Sequence, residues 1–95
     1  MKRFTQDKDA TLDYSIDWSE ELAANGPDTI ATSTWEAETG ITIGADAKAP
    51  SHTATAATLW LSGGTVGRTY KVTNRIVTAG GRTDDRSFMF SIVEK

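Results

Sequence analysis

Few side chains in this sequence are suited to catalysis. The only histidine is His52, which follows Ser51 in a stretch of small residues, and there is no cysteine. A serine and a histidine that are adjacent in sequence do not form a nucleophile–base pair, and no acidic residue is placed to orient His52. One histidine without cysteine also offers too few ligands for a structural zinc site. We therefore expect His52 to be a solvated loop residue and the protein not to be an enzyme.

Carboxylates are more numerous, and calcium is the metal ion that they could bind. They cluster at Asp7, Asp9, Asp13 and Asp17, and again at Asp84–Asp85. A calcium-binding loop joins such residues to a glycine turn and a closing glutamate, and none of these segments has that pattern. The outward face of a strand explains Asp13 and Asp17 equally well. We expect neither a metal ion nor a cofactor.

The glycine-rich segment Gly63–Arg68 is the one place where phosphate binding could be considered. The phosphate-binding loop of nucleotide-binding proteins ends in Lys-Ser/Thr and leads into a helix, whereas this segment joins two predicted strands. We interpret it as a tight turn. The basic residues Arg68, Lys71 and Arg75 share one predicted strand, where pairing with acids on neighbouring strands explains them.

Charge and hydropathy exclude further classes of function. The chain of 95 residues has a net charge of −3 at pH 7, so it has no bulk attraction for nucleic acid or for an acidic membrane. No apolar run approaches the roughly 20 residues of a membrane span. The absence of cysteine fits a protein made in a reducing cytoplasm, such as that of a bacterial host. We expect neither nucleic acid nor a membrane as a partner.

The hydrophobic residues recur with a period of two, which is the period of a β-strand. The clearest example is a segment in which Leu12, Tyr14, Ile16 and Trp18 alternate with polar residues. A strand between a core and solvent has this pattern, so we expect these four side chains to face inward. Seven segments are predicted as strands: Lys2–Gln6, Leu12–Trp18, Ile30–Ala37, Gly40–Gly44, Ala57–Leu61, Arg68–Thr78 and Arg86–Val93.

The remaining segments connect these strands. Ser19–Ala24 is predicted as a helical turn that Ser19 caps, and the chain then breaks at Asn25–Asp28. Within the strand that follows, Ile30 and Trp35 have opposite parity, which indicates a β-bulge. The small and polar stretch from residue 45 to residue 55 is predicted as a loop.

Seven short strands separated by turns predict an all-β fold. We expect one domain over residues 1–95, an immunoglobulin-like/fibronectin type III-like antiparallel β-sandwich of about seven strands. A rigid sandwich of this kind displays its loops and hairpin tips to partners. A domain of this size can fold alone, so we expect the isolated chain to be a monomer that becomes multimeric only within an assembly.

Two parts of the predicted surface are candidates for partner contact. Trp60 has the opposite parity from Leu59 and Leu61, so it faces outward if the two leucines face the core. It either packs beneath the N-terminal segment or an adjacent loop, or it anchors a partner, since tryptophan is enriched at interface hot spots. The last hairpin supplies the other candidates, which are the charged residues Arg82, Asp84, Asp85 and Arg86.

One stretch resembles a known fold family. The run Leu59–Thr73 is similar to the E-to-F passage of fibronectin type III and related bacterial sandwich domains, in which an apolar strand, a glycine-containing turn and a Tyr-x-Val strand recur. In such folds a tyrosine makes a corner contact with the backbone, and the resemblance gives Tyr70 that place. Leu12–Trp18 is likewise similar to a B strand that ends in tryptophan.

The chain also resembles small tailed-phage structural proteins of the fiber-tail adaptor type. The likeness lies in Asp13–Trp18, in Trp60–Gly64, and in Tyr70–Ile76 together with Gly81–Phe88. It implies a non-enzymatic protein of a phage or prophage virion, made in the cytoplasm of the bacterial host. It also implies attachment of fibers or neighbouring proteins near the portal or tail, with portal, tail or fiber proteins as partners. The alternative is a decoration module that binds carbohydrate or the host surface, for which Trp60 would be the binding residue.

Overall fold

The computed structural model describes residues 2–24 and 26–94. Met1, Asn25 and Lys95 lie outside this part of the chain, and with them the start of the predicted break and both ends of the predicted domain. In chain order the described elements are β1 (Lys2–Asp7), β2 (Leu12–Asp17), α1 (Ser19–Ala24), β3 (Ile30–Ala37), β4 (Ile41–Ile43), a 3₁₀ turn (Asp46–Lys48), β5 (Ser51–His52), β6 (Ala56–Gly63), β7 (Thr69–Thr78) and β8 (Thr83–Val93).

The strands form two sheets that pack face to face around a common apolar core. The first sheet has the strand order β1-β8-β7-β3. In the second sheet β6 pairs with β2 along one edge and with the short strands β4 and β5 along the other. The prediction of an all-β, immunoglobulin-like sandwich is confirmed, and the helical turn α1 lies where it was expected.

One pair of strands departs from the antiparallel arrangement. β1 runs parallel to β8, with Lys2 opposite Phe88 and Asp7 opposite Val93. The turn that follows β1 carries the chain into the second sheet, so β1 and β8 are not joined as a hairpin and need not be antiparallel. The other strand pairs of the described residues are antiparallel.

The core is formed by the inward-facing rows of both sheets. Along β7 every second residue from Tyr70 to Thr78 is buried, as the period of two predicted. Burial of each large apolar side chain contributes about 1.5–3 kcal/mol, so these rows are the main source of stability. The buried hydrophobic residues are Ile16, Trp18, Leu22, Ile30, Ala57, Leu59, Leu61, Tyr70, Val72, Ile76, Phe88, Phe90 and Ile92.

Leu12 is an exception to the predicted inward rows. Its side chain is 44% exposed, whereas Ile16 and Trp18 of the same row are buried. Leu12 is the first residue of β2, which is an edge strand that pairs only with β6. The prediction that Leu12 faces a closed core is therefore wrong. Alternation sets the direction of a side chain, but a residue at the end of an edge strand needs a further neighbour to be covered.

Two differences from the predicted strands are larger than a shift of one or two residues at a strand end. β8 begins at Thr83 and not at Arg86, because its polar first residues pair with β7. β5 lies in the stretch that was predicted as a loop, and its two residues pair with β6. The predicted irregularity of β3 is confirmed, since its register against β7 shifts between Ile30 and Thr32.

A fully buried glutamine connects the two sheets. Gln6 of β1 donates through Nε2 to the carbonyl oxygens of Leu61 and Ala10, each at 3.0 Å. Its Oε1 accepts a hydrogen bond of 2.7 Å from the hydroxyl of Tyr14. An unpaired buried amide is costly, so these bonds favour one register between β1 and the second sheet. Burial raises the pKa of the Tyr14 hydroxyl.

The turn between β6 and β7 contains the corner contact expected of Tyr70. Its hydroxyl accepts a hydrogen bond of 2.9 Å from the backbone N–H of Thr65, five residues upstream. Hydrogen bonding with Thr65 also lowers the pKa of the Tyr70 hydroxyl. Gly64 has a φ of 93°, and a Cβ there would lie 2.6 Å from Cγ1 of Ile92. The glycine-rich segment is thus a tight turn between sheets, as predicted.

Candidate functional site

Trp60 lies on the outer face of the second sheet beneath the segment that contains the 3₁₀ turn. The Nζ atom of Lys48 is 4.2 Å from the centroid of its ring, in a cation–π contact. The backbone N–H of Gly44 donates to the carbonyl oxygen of Trp60 at 2.9 Å. Trp60 is therefore half-buried against an adjacent loop, which was one of the two arrangements considered from the sequence.

Arg82 lies in the hairpin between β7 and β8 and pairs with an acid from the segment before β3, the strand that neighbours β7. Its Nη1 atom is 3.4 Å from Oδ2 of Asp28, whose side chain is nearly buried. Asp28 also accepts hydrogen bonds from the backbone N–H groups of Thr29 and Gly80. A hydrogen bond from the Thr78 hydroxyl is the largest cause that lowers the pKa of Asp28, and Arg82 adds to it. This cluster holds the hairpin against the segment before β3.

The two neighbouring acids of the same hairpin have different partners. Asp85 accepts two hydrogen bonds from Arg75, at 2.8 and 3.0 Å, across the outer face of the first sheet. This pairing lowers the pKa of the Asp85 carboxyl. Oδ1 of Asp84 accepts the backbone N–H of Asp85 at 2.9 Å. The expected cross-strand pairing of the basic residue Arg75 with an acid is thereby confirmed.

Arg86 connects β8 to the end of β2 and to α1. Its Nη1 atom donates to the carbonyl oxygen of Asp17 at 2.8 Å and lies 3.3 Å from Oε1 of Glu21. Its guanidinium carbon is 5.4 Å from the ring centroid of Trp18. All four charged residues selected in the hairpin therefore have interactions within the chain. Their contact with a partner, and that of Trp60, stay predictions.

The other segments that the sequence offered as catalytic or metal-binding candidates do not form such a site within the described residues. His52 is exposed and lies in β5, a strand and not the predicted loop. Within residues 2–24 and 26–94, no group of three or more His, Asp or Glu side chains comes close enough to hold a metal ion. In the same part of the chain, no helix is long and apolar enough to cross a membrane.

A groove that the sequence did not reveal runs between the outer edges of β2 and β8. It has a volume of about 460 Å³. We call it the seam groove and define it by Phe4, Tyr14, Ile16, Asp17, Arg86, Ser87 and Phe88.

Three aromatic rings dominate the wall of the seam groove. The ring centroids of Phe4 and Tyr14 are 5.1 Å apart, and Phe88 lies 5.5 Å from Phe4 and 5.2 Å from Tyr14. Phe4 is 38% exposed, although it faces the same way as the buried Gln6 of its strand. Alternation correctly predicts that the side chains of Tyr14, Ile16 and Phe88 face inward. It does not show that the space between the edges of β2 and β8 stays open.

The sequence model of one protein family matches residues 6–91, and that family is described as the podophage GP4 fiber-tail adaptor protein gp77. The chain belongs to this family. No curated protein matches the chain. The resemblance to fiber-tail adaptors is confirmed, and the protein is a phage structural protein of the tail fiber adaptor type. The matched residues include Trp60, the charged residues of the last hairpin and all of the seam groove except Phe4.

Proposed function

We propose that this adaptor is a component of a tailed-phage virion that joins fibers or neighbouring proteins in the head–tail region. Its partners are other virion proteins of the portal, tail or fiber classes, and it is made in the cytoplasm of the bacterial host. The observation that carries the proposal is the family match over residues 6–91. The proposed activity is protein–protein contact without a catalytic step.

The cross-connected sandwich suits this role. An adaptor holds two partners at a fixed separation, so it benefits from a shape that does not deform. Gln6 joins β1 to the second sheet, and Arg86 joins β8 to the end of β2. The seven residues of the β3–β7 register and the six of the β1–β8 register add continuous backbone pairing across the first sheet. Loops, hairpin tips and open edges are left to bind partners.

Mass spectrometry of purified particles tests whether the protein is part of the virion. We expect it in particles at a fixed ratio to the portal protein, after washing at high ionic strength. Its abundance in infected cells together with its absence from particles would contradict the proposal. A host chaperone that adheres to particles is a suitable control, because washing should remove it.

The alternative, a carbohydrate- or host-surface-binding module, would depend on an open aromatic face at Trp60. Lys48 lies over that ring, so the ring is not free to stack on a sugar without displacing the lysine. Titration of the wild type and of Trp60→Phe with a glycan panel separates the two functions, because Trp18 and Trp35 also contribute to the fluorescence of the wild type. A saturable change with any glycan would favour the decoration module, whereas a flat response supports the adaptor.

A further inference from the structure

We propose that the seam groove is a partner-docking site in which an extended segment of another virion protein adds as a strand to β8. This proposal rests on the proposed adaptor function and names the surface that such an adaptor would use. It concerns the half of β8 that β1 leaves uncovered, from Thr83 to Ser87.

The direction of the backbone groups along β8 follows from its bonds to β7. The N–H of Ile92 donates to the carbonyl oxygen of Arg68 at 3.0 Å, and the N–H of Thr78 donates to the carbonyl of Arg82 at 2.8 Å. Bonding directions alternate along an antiparallel pair, so the even-numbered residues of β8 direct their backbone groups toward β7. The odd-numbered residues, which include Ser87, direct theirs toward the opposite edge.

β1 covers only part of that opposite edge. It pairs with β8 from Phe88 to Val93, and no strand in the described part of the chain pairs with Thr83–Ser87 on this side. The five residues that no described strand pairs with on this side span about 17 Å, which is the length of a short β-strand. The free edge is continuous with the established β1–β8 interface, so an added strand would extend pairing that the fold already makes.

The wall of the seam groove indicates which side chains the added segment carries. Its inward residues would contact Phe4 and Tyr14, which are the accessible rings of the groove. Its outward residues would lie beside Asp85 and Ser87 on the polar outer face of the first sheet. An extended segment that alternates apolar and polar residues meets both requirements.

The excess of acidic side chains at the groove favours a segment of another protein as the occupant over a second copy of this chain. The end of the groove near the start of β8 and the adjoining cavity hold four carboxylates and two guanidinium groups, which leaves an excess of acid. These are Asp17, Glu21, Asp28 and Asp84 against Arg82 and Arg86. Two copies paired through this edge would bring the same acids together, and like charges opposite each other are destabilising. The docking segment therefore carries Lys or Arg at the end that lies next to Asp84.

The edge is also protected against indiscriminate pairing. The backbone N–H of Asp85 is already bound by the carboxylate of Asp84 at 2.9 Å. Charged residues on an open edge are a common defence against aggregation. Ser87 keeps an N–H that faces the groove beside the aromatic wall, so a segment with the right side chains gains both a backbone bond and apolar contact there.

Proline substitution tests the backbone part of this proposal in the intact phage. Ser87→Pro removes the N–H that faces the groove, and a proline is tolerated on an edge strand where the N–H points away from the sheet. Ser87→Ala is the matched control, because it removes the hydroxyl and its 2.7 Å bond to Thr73 but keeps the N–H. We expect S87P to lower the copies per particle about tenfold or more, and S87A to leave them unchanged.

A second pair of variants tests the apolar wall. Phe4→Ser removes an aromatic side chain that is 38% exposed in the groove, and Val66→Ser removes an apolar side chain that is 44% exposed in the β6–β7 turn. We expect F4S to lose incorporation and V66S to retain it. Thermal unfolding of each purified variant identifies any that do not fold. Incorporation of folded S87P and F4S at the wild-type level would overturn the docking site, whereas absence of the wild-type protein from particles would contradict the adaptor function itself.

The nature of the occupant is tested with peptides. Tiled peptides from the portal, tail and fiber proteins of the same phage are added to the isotope-labelled adaptor, and amide shifts are recorded by NMR. We expect a basic, alternating peptide to shift the amides of Thr83–Phe88 and of Tyr14, with S87P abolishing the effect. Binding that maps to the Trp60 face, self-association through β8, or no binding by any peptide would overturn the proposal.

Discussion

The indole Nε1 of Trp18 donates a hydrogen bond of 2.9 Å to Oδ1 of Asn74, and both side chains are fully buried. Trp18 follows β2 of the second sheet, and Asn74 lies in the middle of β7 of the first. The amide nitrogen of Asn74 donates in turn to Ser33 Oγ and to the carbonyl oxygen of Thr34, each at 2.9 Å. One amide thus connects both sheets of the sandwich.

Replacement of this amide should destabilise the protein strongly. We expect Asn74→Ala to lower the free energy of unfolding by about 2–4 kcal/mol, because it leaves the buried indole N–H of Trp18 without its acceptor and opens a cavity. Urea denaturation followed by circular dichroism measures the change. Thr73→Ala, on the outer face of the same strand, is the control and should cost less than about 1 kcal/mol. An N74A protein within about 0.5 kcal/mol of the wild type would contradict this account.

The corner contact of Tyr70 gives a smaller effect. We expect Tyr70→Phe to lower the free energy of unfolding by about 1–2 kcal/mol, since the backbone N–H of Thr65 loses the hydroxyl that accepts it. Val66→Ala in the same turn is the control, because Val66 is exposed and should change little. Stability of Y70F equal to that of the control variant would show that the corner bond does not stabilise the turn.

Acid sensitivity should be traceable in part to Asp28. The Thr78 hydroxyl, the backbone N–H groups and Arg82 hold the pKa of its carboxyl below the ordinary value of 3.8. A folded-state pKa below the unfolded one adds stability that is present above the unfolded pKa and is lost as the pH falls through the folded pKa. We therefore expect unfolding free energy to fall below about pH 4, and the fall to be smaller in Asp28→Asn.

Urea titrations at several pH values measure this dependence. Above about pH 6 the Asp28 carboxyl should no longer contribute to the pH dependence of the free energy of unfolding. The wild type and D28N should therefore show the same pH dependence in this range, which serves as the internal control. Identical slopes for the two proteins between about pH 5 and pH 2 would contradict the assignment of the effect to Asp28.

The parts of the fold that depend on the alternation of buried and exposed side chains could be predicted from the sequence. The buried rows of β7 and β8 follow directly from alternation, and opposite parity of Ile30 and Trp35 located the bulge in β3. The parallel pairing of β1 could not be predicted, since Lys2–Asp7 gives no signal for which strand it joins or in which direction. β5 could not be predicted either, because two polar residues form a strand only through their pairing with β6.

The candidate site could be predicted only in part. Selection of Arg82 and Arg86 was based on their position in an exposed hairpin, but their acceptors Asp28 and Asp17 lie 54 and 69 residues away in sequence. No local pattern reports a pairing at that distance. The seam groove could not be predicted for a related reason. Alternation correctly predicts that the side chain of Tyr14 faces inward, but only the three-dimensional arrangement shows that the described part of β1 pairs with β8 from Phe88 onward.

The central claim is that this sandwich joins proteins within the virion, and cryo-electron microscopy of purified particles tests it most directly. The account predicts density for the β-sandwich formed by β1–β8 at the head–tail region, in contact with two different virion proteins, with an extra strand along Thr83–Ser87. A particle map at side-chain resolution in which every position of the head–tail region is filled by other proteins would contradict it.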